Sequence, residues 1–131
     1  FALVKGVILR GGKFEFPLKN ENKKIQDAVT NYNPLKVYKD VSLVDVEIRT
    51  GRRHQIRRHF GRRMQHVIGD RRYGKKVHNN LFLEQYGLDR LFLHAHRLTF
   101  DHPYLMKRIV VNAPLMNDLK DVIKKLESTI L

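Results

Sequence analysis

An α+β fold built on a largely antiparallel sheet with a few helices is what this sequence predicts, and three observations carry it. Val41 to Arg49 alternates, with Val44, Val46 and Ile48 on one side and Leu43, Asp45 and Glu47 on the other, the period of a half-buried antiparallel strand. Ile56, Phe60 and Met64 then recur every four residues, the spacing of a helix. From Asn117 onward Leu119, Val122, Ile123, Leu126 and Ile130 repeat at helical spacing, so the chain closes on an amphipathic helix. Strands linked mostly by hairpins, with two helices, argue against a doubly wound parallel sheet. The 131 residues suffice for one domain with a core and are too few for two.

Taken in order, Phe1 to Ile8 is apolar enough for a buried strand. It begins without a preceding turn, so it reads as the middle of a strand, and an open sheet edge is expected where an upstream segment would pair. Arg10-Gly11-Gly12-Lys13 turns the chain into Phe14-Glu15-Phe16, stopped by Pro17, which makes the first two strands a β-hairpin. Asn20 to Lys24 is a polar loop. Val29 to Tyr38 is rich in strand formers, and Asn33-Pro34 within it signals an edge or a bulge. After the alternating strand, Thr50-Gly51 breaks the pattern, with Thr50 as the N-cap of the next helix and Gly61 ending or bending it. Val67-Ile68 is a short extended piece turned by Gly69-Asp70. Leu91 to Phe100 alternates until Asp101-His102-Pro103 stops it, and Ile109 to Val111 adds a last strand.

Charge separates this chain from an ordinary globular domain. Twenty-six Lys and Arg against thirteen Asp and Glu leave a formal charge of +13, which points to a polyanion as partner. Cysteine is absent, which excludes disulfides, thiol nucleophiles and Cys-based zinc sites. No run approaches the roughly 18 apolar residues of a membrane span, so a cytoplasmic protein without membrane contact is expected. Arg49, Arg52, Arg53, Arg57, Arg58, Arg62, Arg63, Arg71, Arg72, Lys75 and Lys76 crowd into one stretch with a single acid, Asp70. On a helix, Arg53 with Arg57 and Arg58 with Arg62 form two like-charge rows that repel by roughly a few tenths of a kcal/mol per pair, which a bound anion would offset. Arginine predominates there, and its planar fork grips phosphate better than an ammonium does. Arg52, Arg53, His54, Arg58, Arg62, Arg63, Arg71, Arg72, Lys75 and Lys76 are therefore candidate nucleic-acid ligands; the alternative is a basic surface helix that serves solubility.

Arg57 stands apart, because it adjoins Ile56 and lies three residues before Phe60, on the border of the apolar stripe. A guanidinium partly buried there requires a carboxylate or phosphate. A structural ion pair with Asp45 or Glu47 is the alternative. The seven histidines do not make a metal site: His94 and His96 share a strand face, but His54 and His59 diverge on a helix and no His-Glu-x-x-His occurs. A histidine that packs and donates one hydrogen bond is the expected role. Gly11-Gly12 lacks the spacing of a phosphate-cradling loop, so nucleotide hydrolysis is not indicated.

Three motifs in order carry a family resemblance. Thr50-Gly51-Arg52-Arg53-His54-Gln55-Ile56-Arg57-Arg58-His59 resembles the signature segment of the pseudouridine synthases of the large-subunit ribosomal synthase A family. Gly69-Asp70-Arg71-Arg72-Tyr73-Gly74 resembles that family's Gly-Asp-x-x-Tyr-Gly turn, and Arg90-Leu91-Phe92-Leu93-His94-Ala95 followed by His102-Pro103 resembles its next strand and terminator. Val67 stands where the family usually has proline. The double arginine before His54, Ala28-Val29-Thr30-Asn31-Tyr32 and the His78-Asn79 insertion are most similar to the branch that modifies uridine 65 of tRNA, with ribosomal RNA the second choice of substrate.

The resemblance implies that residues 1–131 are the C-terminal part of a single catalytic domain that isomerises a uridine in RNA without metal or cofactor, monomeric when intact. It implies that Arg57 pairs with the family's catalytic aspartate and that Leu93 packs against the uracil ring. That aspartate belongs to an Arg-Leu-Asp segment that the 131 residues do not contain, and Asp70 belongs to another motif. The chain by itself is accordingly expected to be inactive. A noncatalytic RNA-binding module is the rival reading, equally compatible with the charge.

Overall fold

The computed structural model describes residues 1–129, so the expected place of Ile130 on the last helix lies outside the described residues. Eleven elements follow one another: β1 (Ala2–Lys5), β2 (Gly12–Phe14), β3 (Leu18–Lys19), β4 (Ile25–Gln26), β5 (Thr30–Tyr38), β6 (Val41–Ile48), α1 (Gln55–Arg62), α2 (Lys76–Tyr86), β7 (Arg97–Asp101), β8 (Arg108–Asn112) and α3 (Asn117–Thr129). The α+β class and the antiparallel pairing are as expected. The main sheet runs β1-β6-β5-β2, and β3 with β4 and β7 with β8 form two separate ribbons. Among the described residues no helix is long and apolar enough to cross a membrane.

Alternation along β1 divides the core. Ala2 and Val4 point to one face, where Val44, Phe60 and Val67 meet them, and Leu3 points to the other, where Val41, Phe82, Phe92, Leu119, Val122 and Leu126 gather. Thus α1 covers one face of the sheet, and α2 and α3 cover the other. β6 lies between β1 and β5, and Val41, Ser42 and Val44 are all buried. It is covered on both faces at its start, half-buried at Asp45 and Val46, and exposed at Glu47 and Ile48, although the alternation places Ile48 on the covered side.

Several expectations need correction. The first strand does not form a hairpin with the second: β1 pairs with β6, and β2 pairs with β5. Nor is its outer edge open, because the Leu3 carbonyl accepts from the Ile68 N–H, the Leu3 N–H donates to the Phe92 carbonyl, and Ala2 and Val4 bridge to Leu93 and Val67. The proline in β5 marks a bulge, where the register shifts between Pro34 and Lys36. Among the described residues there are three helices rather than the two expected, α2 being the addition. The strand expected over Leu91 to Phe100 is two pieces, an extended stretch stitched to β1 and Ile68 and then β7. Thr50 is not the cap of α1. His54 occupies that position in the left-handed region at φ 51°, without a side-chain cap bond. Arg53 consequently lies outside the helix, and the Arg53–Arg57 row does not form.

Candidate nucleic-acid interface

Helix α1 is short, and a polar relay beneath its first turn fixes its seat. The Val29 N–H donates to Thr50 Oγ1 at 3.3 Å, Thr50 Oγ1 donates to Gln55 Oε1 at 2.8 Å, and Gln55 Nε2 donates to the Val29 carbonyl at 2.9 Å and to Thr30 Oγ1 at 3.0 Å. His59 completes the chain, with Nδ1 2.7 Å from Thr30 Oγ1 and Nε2 3.0 Å from the Phe16 carbonyl. A carbonyl only accepts, so Nε2 carries the proton and Nδ1 accepts from the threonine hydroxyl. His59 is fully buried, and burial pushes its pKa down against the help of the Phe16 carbonyl. The histidine role expected from the sequence is the one His59 fills. His94 and His96 bond to the Ala113 carbonyl and the Asp45 carboxylate, and no group of three metal-ligating side chains occurs among the described residues.

One turn along α1 and one face round, Arg57 meets Asp70. Arg57 Nε and Nη2 donate to the two carboxylate oxygens at 2.9 Å each, a bidentate fork. The Arg72 and Tyr73 N–H groups add two bonds at 3.0 Å to one of those oxygens. The Asp70 side chain has no exposed surface and that of Arg57 keeps 20%. Burial alone would raise the Asp70 pKa. The Arg57 fork and the two backbone donors outweigh it and hold the carboxyl below its ordinary range, while the same bond raises Arg57. Neither alternative partner is used: Asp45 bonds His96 and Glu47 pairs with Arg49.

The turn that presents Asp70 is tied at both ends. Asn79 of α2 accepts from the Gly69 N–H at 2.8 Å and donates to the Asp70 carbonyl at 2.9 Å. Gly69 sits at φ +88°, and a Cβ there would lie 2.1 Å from the Arg90 carbonyl oxygen, so only glycine fits. Tyr73, three residues beyond Asp70, lies 5.2 Å under the Arg57 guanidinium and 5.4 Å under that of Arg72, and its hydroxyl is 3.0 Å from His54 Nδ1. Burial, then the charges of Arg57, Arg53, Arg72 and Arg58, lower the His54 pKa.

The candidates from the sequence do not form one uniform wall. Arg53, Arg58, Arg72 and Tyr73 line an open cleft of ≈ 370 Å³ whose other side is the β3–β4 ribbon. Arg58 donates to the Lys19 carbonyl at 2.8 Å and to the Arg53 carbonyl, Arg52 to the Asp27 carbonyl at 2.8 Å, and Arg53 pairs with Glu21. Arg62 and Arg63 spread over the Phe16 ring, Arg71 reaches the Asp89 carbonyl, and Lys75 stands at the N-cap and Lys76 at the first position of α2. Leu93 is half-buried, bridged to Ala2 and packed on the apolar cluster that Ile56 joins beside Arg57. Residue patterns missed Asp70 as the partner of Arg57, Tyr73 as the ring between two arginines, and the ribbon residues of the cleft. The Gly-Asp-x-x-Tyr-Gly spacing was the available signal for the first two.

This geometry belongs to a known fold. The solved human RNA pseudouridylate synthase domain containing 4 superposes on 96% of this chain and 60% of its own with a TM-score of 0.76 at 21% identity, and human RNA pseudouridylate synthase domain containing 1 on 97% and 64% with a TM-score of 0.69 at 21% identity. The family model for RNA pseudouridylate synthase matches residues 2–62. tRNA pseudouridine synthase C of Vibrio cholerae is 36% identical over 136 aligned residues, covering 87% of this chain and 56% of that protein, and the Vibrio vulnificus enzyme of the same name is 33% identical over 99% and 63%. The chain belongs to the RNA pseudouridylate synthase family, and spans a little over half the length of the curated relatives it matches.

Proposed function

We propose that this chain is the C-terminal part of the catalytic domain of an RNA pseudouridine synthase acting on tRNA, in which the arginine cleft grips the backbone and Arg57 orients the catalytic aspartate. One observation carries the reading: the signature segment and the Gly-Asp-x-x-Tyr-Gly turn converge, so that Arg57, Tyr73 and His54 meet beside a cleft lined by Arg53, Arg58 and Arg72. The relatives named tRNA pseudouridine synthase C support tRNA over ribosomal RNA. Isomerising uridine breaks the N1 to C1′ bond, turns the base, joins C5 to C1′, and shifts one proton, in net terms, from C5 to the freed N1. Atoms and electrons balance without a redox partner. The base must leave the stack, and a backbone grip offsets the few kcal/mol, roughly, that unstacking costs.

Arg57 suits an orienting role because Asp70 takes only its Nε and Nη2 hydrogens. Its Nη1 edge has no hydrogen-bond partner among the described residues and is available to a second carboxylate, which it would keep ionised. Leu93, on the same apolar cluster as Ile56, is assigned to the uracil pocket. The test uses the full-length parent enzyme with saturating tRNA in single turnover. Arg57→Met should abolish isomerisation while most RNA affinity remains, Arg57→Lys should recover only part of the rate because an ammonium lacks the fork, and Arg62→Met should weaken binding with its rate restored at saturation. Thermal unfolding of each variant separates lost chemistry from lost folding. A parental rate for folded Arg57→Met at saturation would refute its role.

A further inference from the structure

The ribbon that faces the arginine wall is itself a designed turn. Asn20 accepts from the Asn22 and Lys24 N–H groups at 2.9 Å each through Oδ1, and its own N–H donates to the Lys24 carbonyl at 2.9 Å. Lys23 takes a positive φ of 62° to close the loop. This tip carries Glu21 across the cleft onto Arg53. The Arg58 Nε is buried without a hydrogen-bond partner and is closed to the cleft, while its two terminal nitrogens are satisfied by carbonyls. A carboxylate thus sits in a basic cleft beside Arg72, which is exposed and has no ion-pair partner among the described residues.

We propose that Glu21 stands in for an RNA phosphate: the β3–β4 ribbon and the Arg53, Arg58 and Arg72 wall form a backbone site in which a phosphodiester displaces the Glu21 carboxylate from Arg53. The inference rests on the RNA reading and adds the ribbon, its acid and an exchange to it. The exchange is inexpensive, because the side chains of Glu21 and Arg53 are 75% and 59% exposed and exposed pairs contribute little. It lets the phosphodiester meet Arg53 and Arg72 together, where the carboxylate meets Arg53 alone. The cleft at ≈ 370 Å³ is larger than one phosphate, which suits a nucleotide unit of a strand.

The experiment is a double-mutant cycle on this chain, with a labelled stem-loop RNA titrated by fluorescence anisotropy at low salt. Glu21→Gln should tighten binding by about two- to fivefold, the range an exposed ion pair contributes. Glu127→Gln, an equal charge change on α3 beside Lys36 and Tyr38 on the other side of the sheet, should tighten it less. In an Arg53→Met background the benefit of Glu21→Gln should shrink to that of Glu127→Gln. An undiminished benefit there, or one no larger than the remote control, would overturn the exchange. If the unaltered chain binds no RNA, the broader reading fails instead. Inorganic phosphate as competitor separates the sources: displacement of RNA by phosphate beyond an ionic-strength-matched chloride control would make this a free-anion site and overturn the backbone assignment.

Discussion

At Asp70 a carboxylate without exposed side-chain surface survives because four donors reach it, and Arg57 supplies two of them. Removing either partner leaves the other buried and under-bonded. Asp70→Asn places an amide N–H₂ against a guanidinium and should destabilise the chain by about 3 kcal/mol in urea unfolding, with Arg57→Met similar in size. A cost under about 1 kcal/mol would place the pair among ordinary surface bridges. The Asp70 pKa is held below its ordinary 3.8, so its contribution is complete above that value and is lost as pH falls through the folded value. Acid unfolding of the unaltered chain should therefore show a step below about pH 4 that Asp70→Asn lacks. Gly69→Ala meets the Arg90 carbonyl and a positive φ together, and should cost at least about 2 kcal/mol.

At the level of elements, the seat of α1 depends on Thr30 more than on helix propensity. Thr30→Val keeps the shape but strands His59 Nδ1 and one Gln55 hydrogen, for an expected cost of about 2 kcal/mol. Burial lowers the His59 and His66 pKa values, so both contribute fully above about pH 6.5 and lose that contribution as pH falls toward their folded values. The urea midpoint should drop between about pH 7.5 and 5.5, and less so in His59→Gln. How far the sequence reveals these elements follows from what each one buries. β6, α1 and α3 place apolar residues at their own period and are legible, except that Met64, expected to continue the Ile56 and Phe60 repeat, lies beyond the end of α1 at φ 61° and is exposed. Helix α2 is not, because Phe82 is its only fully buried residue while Val77, Leu81 and Leu83 are exposed; Gly87, its left-handed cap at φ 70°, was the remaining signal. The partner of β1 is illegible for another reason, since pairing Ala2 with Val44 depends on contacts distant in sequence. Local pattern likewise hid the Arg57 partner, thirteen residues away across a turn.

For the molecule as a whole, the +13 charge overstates what an RNA would meet, because the fold spends several arginines internally. Arg57 is committed to Asp70, Arg58 and Arg52 are half-buried against carbonyls, and Arg53 carries Glu21. Arg62, Arg63, Arg71, Arg72, Lys75 and Lys76 remain exposed. Each phosphate contact contributes about 0.7 to 0.9 to the slope of log affinity against log salt, so the six exposed cations, with Arg53 once a phosphodiester has displaced Glu21, predict a slope of about −5 to −6, against about −6 to −8 if Arg52 and Arg58 engaged as well. Binding to a stem-loop RNA across a salt series measures it. Arg62→Met with Arg63→Met should flatten the slope by about 1 to 2, whereas Arg57→Met should leave it unchanged, because its charge is already neutralised by Asp70. A slope near zero would remove the electrostatic basis of RNA binding, and a slope flattened by Arg57→Met would show that the Arg57 fork opens to the backbone when RNA arrives.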